Sequence, residues 1–249
     1  MACVFVSGAS RGLGKALVAA FRSRGHNVFA GMRSPQDEAD VLLNVRDIAG
    51  CEDAVRQVVE RAGKIDILVN NAGVHLAGPV TGLDQDAFKE TLDVNLLGVW
   101  RLTRAAVPHM RPGGTIAMIS SLSGLLGLPS DGAYAASKFA LEGLSQSLAA
   151  EVAPLGIRVL VFEPGRVATG FAGTTSGTPP EQAAGIIVDA AMNPATPFRT
   201  PVGTDAEACF RQLGVDRGPA LEAVVKAITG ASWCDHGAAG EPGNGEGGA

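Results

Sequence analysis

Short apolar runs alternate with amphipathic stretches along most of this chain. Residues 2–7 (ACVFVS) form an unbroken apolar run that reads as a buried strand. Residues 12–24 then change period, with Leu13, Leu17, Ala20 and Phe21 on one helical face. The alternation continues with strands at 27–31 and 41–44, the latter reached through a polar loop too brief for a good helix, and a helix at 51–62. A strand follows at 66–70 (DILVN), then one long helix at 86–110, stopped by Pro112 and Gly113-Gly114. Next come a strand at 115–120 (TIAMIS), a helix at 132–153 stopped by Pro154, and a strand at 157–162 (IRVLVF). Pro179-Pro180 opens a helix at 181–192, residues 198–203 (FRTPVG) make a last strand, and helical stretches cover 205–213 and 219–229.

Strands buried on both faces and separated by helices imply a parallel sheet covered on both sides. Right-handed crossovers then give an α/β, three-layer, doubly wound Rossmann-type fold with about seven strands. Ligands in such sheets bind at the carboxyl ends of the strands, so chemistry is sought there. Residues 1–230 read as one catalytic domain. Residues 231–249, with six glycines, bury too little to offset ordering entropy and read as a disordered tail.

Composition narrows the function classes. Of 249 residues, 46% are hydrophobic and 18% charged, which excludes a wholly disordered chain. No run approaches 18 apolar residues, and no basic segment precedes the first apolar one, so neither a membrane span nor a secretory signal is expected. A net charge of −5 argues against nucleic acid or an anionic membrane as partner. Cys3, Cys51, Cys209 and Cys234 are scattered and read as free thiols of a cytoplasmic protein. His26, His75, His109 and His236 show no ligand spacing, so no metal is expected.

Two constellations carry chemistry. The first strand runs into S-G-A-S-R-G-L-G at residues 7–14, with Gly8, Gly12 and Gly14 in G-x-x-x-G-x-G spacing. Such a turn lets a pyrophosphate approach a helix N-terminus, where free N–H groups and the helix dipole favour an anion. A ribose 2′-OH is usually held by a carboxylate at the end of the second strand, and a 2′-phosphate by arginine. Here that end reads Gly31-Met32-Arg33-Ser34, with no acid before Asp37, and Arg11 sits inside the glycine turn. Two guanidiniums suit a phosphate, which points to NADP(H). The second constellation is Tyr134 and Lys138, four residues apart on one helix face. A phenol is too weak a base near neutrality, and a nearby ammonium favours the phenolate. Tyr134 would then exchange a proton with a carbonyl or alcohol oxygen.

Together these motifs resemble the short-chain dehydrogenase/reductase family. The glycine turn matches its TGxxxGxG motif, with Ser7 in place of Thr, and the likeness continues through N-N-A-G at residues 70–73, Asn95, I-S-S at 119–121, Tyr134-x-x-x-Lys138 and Pro164-Gly165. It covers roughly residues 2–170, in order and in register. The resemblance implies that Asn95, Ser121, Tyr134 and Lys138 are catalytic. Family spacing selects Ser121 over Ser120 and Ser123 to bind the developing oxyanion, and Asn95 would hold a water in a proton relay through Lys138. It further implies that Gly8, Ser10, Arg11, Gly12, Leu13, Gly14 and Arg33 hold the cofactor, with Asn44, Val45, Asn71, Ala72 and Gly73 along its length. At Asn44 the family often has an Asp contacting adenine; an Asn amide would bond the base instead. Pro164, Gly165, Val167 and Thr169 would contact the nicotinamide carboxamide, beside Tyr134 and Lys138.

The expected function is NADP(H)-dependent interconversion of a ketone or aldehyde with an alcohol. Two alternatives stay open: an NAD-dependent alcohol dehydrogenase of the same fold, and a nucleotide-sensing binding protein. Leu122, Leu125, Leu126 and Leu128 would wall an apolar substrate pocket or pack as core or subunit contact. Residues 171–180, rich in Gly, Thr and Ser, read as a lid. The family's dimer face would use the helices at 86–110 and 132–153, with Phe139, Leu144 and Leu148 packing on a twofold partner in a homodimer or homotetramer.

Overall fold

The computed structural model describes residues 1–229. The apolar runs become β1 (Cys3–Ser7), β2 (Asn27–Met32), β3 (Asp40–Leu42), β4 (Ile65–Asn70), β5 (Met110–Ile119), β6 (Arg158–Pro164) and β7 (Arg199–Val202). All seven pair in parallel, in the order β3-β2-β1-β4-β5-β6-β7. Val4 of β1 lies between Val28 of β2 and Ile67 of β4. Strand order reverses at β1, which opens a crevice at the carboxyl ends of β1 and β4.

The helices are α1 (Gly12–Ser23), α2 (Ile48–Ala62), α3 (Gln85–Leu92), α4 (Gly98–Ala106), α5 (Gly132–Val152), α6 (Pro180–Met192), α7 (Thr204–Leu213) and α8 (Pro219–Thr229). Leu17 and Phe21 of α1 and Ile187 of α6 bury against Val4, Val6 and Phe162 on one sheet face. Val55 of α2, Leu102 of α4 and Leu141 of α5 bury against Phe5, Leu68 and Met118 on the other. Each such side chain contributes about 1.5–3 kcal/mol relative to an exposed one, so two separate apolar layers hold the sheet.

Several boundaries differ from the expected ones. The long helix at 86–110 is broken: α3 passes through a wide π-type turn at Asp93–Leu97 into α4, then a tight 3₁₀ turn at Val107–His109. The wide turn has a visible cause, because the Asn95 amide bonds both backbone groups of Val74, at 2.8 and 2.9 Å. Pro108 has no N–H to continue a helix, and the chain is already extended at Met110, which pairs with Ile65. Pro112, Gly113 and Gly114 therefore lie in an irregularity of the β4–β5 pairing rather than ending a helix. The third strand ends at Leu42, so Asn44 and Val45 lie just past it. Helix α2 begins three residues early because the Asp47 side chain caps it, accepting the Ala49 N–H at 3.1 Å. The expected disordered tail lies outside the described residues.

Candidate active site

A cleft of about 780 Å³ opens at the carboxyl ends of the strands. Its first wall is backbone. Ser7 Oγ donates to the Val69 carbonyl (3.2 Å) and accepts the N–H groups of Asn71 (3.0 Å) and Ala72 (3.1 Å). Asn71 Nδ2 returns to the carbonyls of Ser7 and Gly8. The serine that replaces the motif's threonine thus ties the glycine turn to the end of β4. A Cβ on Gly8 would stand 2.7 Å from Ala72 Cα, and one on Gly14 would overlap the Gly8 carbonyl oxygen. No side chain caps the N-terminus of α1, so its leading N–H groups are left for a ligand.

The other expected cofactor residues gather on this wall. Ser10, Arg11, Gly12 and Leu13 line it, as do Asn44, Val45, Ala72 and Gly73. The Arg11 and Arg33 side chains are exposed at its rim. Among the described residues no carboxylate pairs with either one, whereas Arg46 nearby is taken by Glu90 and Asp93. Pro164, Gly165, Val167 and Thr169 form the opposite lip. That lip is held from the C-terminal side: Asp205 accepts the Arg166 N–H at 2.8 Å and packs so closely on Gly165 that no side chain fits there.

The second wall is built from side chains. Tyr134 and Lys138 on α5 face the cleft, and the Lys138 Nζ sits 5.6 Å from the Tyr134 ring centre. Lys138 donates to the Ile119 carbonyl at 2.8 Å, which anchors it to the end of β5. Ser121, two residues further, accepts the Ser123 N–H at 3.1 Å, and its hydroxyl lies beside the Tyr134 phenol, where it favours the phenolate. Burial pushes the phenol well above its ordinary range; the Ser121 hydroxyl works against this, and the Asp131 charge works with it. This differs from the downward shift expected of an ammonium alone, because in this closed pocket desolvation is the larger effect. Burial lowers Lys138 to about 8, opposed by Glu142. Asn95 does not reach the cleft surface. It is wholly buried, and its Nδ2 is spent on the Val74 carbonyl and Ser137 Oγ.

Sequence reasoning missed one pair. His75 Nε2 lies 2.7 Å from Asp131 Oδ1, and Ser123 Oγ donates to Asp131 Oδ2 at 2.6 Å. The His75 ring stands edge-on to Tyr134 at 5.0 Å, and Phe171 closes the group at 5.9 Å from Tyr134. The available signal was position: His75 follows N-N-A-G by two residues, and Asp131 immediately precedes the tyrosine helix. Of the four leucines read either as pocket wall or as core or subunit-contact packing, Leu128 alone lines the cleft. Phe171, from the expected lid, does reach it. Among the described residues no group of His, Cys, Asp and Glu is placed to hold a metal, and no helix is long and apolar enough to cross a membrane.

A close-packed glycine turn at an uncapped helix end and a Ser–Tyr–Lys cluster in one cleft invite comparison with known proteins. The family profile described as short chain dehydrogenase matches residues 2–179. The chain belongs to that family. Its curated relatives include the 3-ketodihydrosphingosine reductase of Bacteroides thetaiotaomicron, 34% identical over 68% of this chain and 65% of the relative. Human 17-beta-hydroxysteroid dehydrogenase type 1 is 36% identical over 72% of this chain and 60% of its own length. The match thus spans less than two thirds of these two relatives. Among solved structures, a short-chain dehydrogenase from Burkholderia cenocepacia in complex with NADP superposes with a TM-score of 0.77 at 28% identity, covering 90% of this chain and 96% of that one. One from Streptomyces avermitilis gives 0.77 at 30% identity, covering 91% and 95%. A Rossmann-type sheet with helices on both sides is common to them and to this chain.

Proposed function

We propose that the protein is an NADP(H)-dependent oxidoreductase that interconverts a ketone or aldehyde with an alcohol. The observation that carries this is Tyr134, with Ser121 and the Lys138 cation beside it, facing the cleft whose other wall is the glycine turn. A nicotinamide dinucleotide held there would supply or accept the hydride. The uncapped N-terminus of α1, with no room for a Cβ at Gly8 or Gly14, fits its pyrophosphate. Arg11 and Arg33, unpaired by acids among the described residues, fit a 2′-phosphate, and the residues that directly follow β2, Arg33 to Gln36, include no carboxylate to favour the bare hydroxyl.

Within that cleft Tyr134 gives its proton to the carbonyl oxygen during reduction and withdraws it from the alcohol during oxidation. The Ser121 hydroxyl donates to the oxygen on which charge develops. Lys138 keeps a positive charge beside the phenol and so stabilises the phenolate that reduction leaves behind. Asn95 acts from within, holding the Val74 backbone and Ser137 rather than touching substrate. The rings of His75, Tyr134 and Phe171, with Leu128 and Pro129, favour an apolar substrate. The names of the sphingosine and steroid relatives support that reading. A twofold partner would cover the exposed Trp100 of α4 and Phe139 of α5.

The test is a panel of aliphatic, aromatic and steroid carbonyls, scored by NADPH consumption. On an active substrate, Tyr134→Phe is expected to lower kcat by about 10³-fold or more while NADPH still binds by fluorescence titration. Turnover that survives Tyr134→Phe overturns the acid–base role.

A further inference from the structure

Behind the acid–base cluster lies a second ionic group that no step above uses. Glu142 follows Lys138 by one turn of α5, on the same face. Its side chain is 4% exposed, and its Oε2 lies 3.1 Å from Nε of Arg199, at the start of β7. Glu163, near the end of β6 and 0% exposed, stands 3.7 Å from the same Nε and accepts the Thr200 N–H at 3.1 Å. Arg199 also donates to the Asp216 carbonyl. Two carboxylates therefore share one guanidinium inside the protein.

Two buried acids of like charge do not both ionise readily. Glu142 is faced by two cations, Lys138 from its own helix and Arg199 from β7, with Ser120 at the end of β5 beside it. Glu163 has Arg199 alone, at the longer distance, and one backbone N–H. The proton belongs on Glu163, whose carboxyl is pushed far up by burial and then by the charge of Glu142. Burial raises Glu142 as well, but Arg199 and Lys138 pull it back, so Glu142 is the member that ionises first. Lys138 meanwhile has Tyr134 and the Ile119 carbonyl as its other close neighbours, and the remaining acid near the cluster, Asp131, faces Tyr134 and His75.

We infer that Glu142 is a positioning residue of the acid–base centre: its carboxylate, held in place by Arg199, keeps the buried Lys138 amine charged, while Glu163 stands by as a neutral acid. The inference rests on the catalytic reading of Lys138 for its meaning, although the electrostatic claim stands apart from it. Burial already brings Lys138 down to about 8, and Glu142 opposes that fall. Without Glu142 the ammonium would be lost at lower pH, and the phenolate of Tyr134 with it.

The test reads Lys138 directly in the full chain without dinucleotide or substrate. The protein has five lysines, so carbon-13 labelling of their ε-carbons gives a tractable NMR titration, with Lys138 assigned by the signal lost in Lys138→Met. In Glu142→Gln the Lys138 midpoint is expected to fall by about one pH unit or more. Glu142→Asp, which keeps the charge, restores most of the shift. Glu163→Gln, which resembles a carboxyl that already carries its proton, leaves the midpoint in place. With an active substrate, the alkaline limb of kcat moves down in Glu142→Gln while KM for NADPH changes little, a split that loss of fold alone would not produce. An unmoved midpoint in Glu142→Gln, or an equal fall in Glu163→Gln, overturns the inference. Should Glu142→Gln fail to fold, a carboxyl-carbon titration of the unaltered chain decides: Glu142 ionised below the Lys138 midpoint supports the inference, and Glu142 still protonated there overturns it. A chain without turnover still gives the lysine titration, so failure here and failure of the proposed activity are told apart.

Discussion

The two walls of the cleft are made of different material. The wall proposed for the dinucleotide is backbone: glycine positions, an uncapped helix end, and a serine and an asparagine that lock two turns together. The wall proposed for acid–base chemistry is side chains, several of them buried and ionisable, with Tyr134 and Lys138 both shifted by desolvation. A backbone wall depends on space and is nearly indifferent to pH. A wall of buried titratable groups depends on charge, and each group alters its neighbours.

That contrast is broken or sharpened by three substitutions. Gly14→Ala attacks space: its Cβ would overlap the Gly8 carbonyl oxygen, a backbone atom that cannot swing away. Loss of NADPH affinity by about 100-fold or more, with a lowered thermal midpoint, is expected from fluorescence titration and a melting curve. Unchanged binding would mean that the turn yields and is not a rigid cradle. Arg33→Ala removes a rim charge without disturbing the turn. Affinity for NADPH is expected to fall about tenfold and that for NADH to change little, in the manner of a lost charge-assisted phosphate contact. A clear NADH preference in the unaltered protein would instead return the cofactor to NAD. Asp131→Asn is the mildest change and touches only the second wall. The Asp131 charge raises the Tyr134 phenol, so neutralising it lowers that value, and the pH profile of alcohol oxidation should shift toward acid by a few tenths of a unit. A shift toward alkali would mean that the lost His75 contact matters more than the charge.

The difference between the walls also governs what could be read in the chain. Seven apolar runs name seven strands, and the glycine spacing names the turn, because backbone geometry constrains residue type locally. The helix expected at 86–110 was misread because its interruption is tertiary. Asn95 bonds Val74 in a distant loop, and Met110 leaves the helix to pair with Ile65. Tyr134, Lys138 and Ser121 could be placed by spacing, but the direction of the Tyr134 shift could not, since it depends on how completely the pocket closes around the ring. Glu142, Glu163 and Arg199 gave no local sign at all. They come from α5, β6 and β7, and only the folded sheet brings them within bonding distance.

Order of synthesis gives the late strand a particular weight. A nascent polypeptide that has emerged only as far as residue 198 already carries Tyr134 and Lys138, but not the guanidinium that Glu142 and Glu163 share. Nor does it carry Asp205, which secures Arg166 and presses on Gly165. The last strand and the helix after it therefore supply both the cation for the two buried acids and the carboxylate that braces the lip.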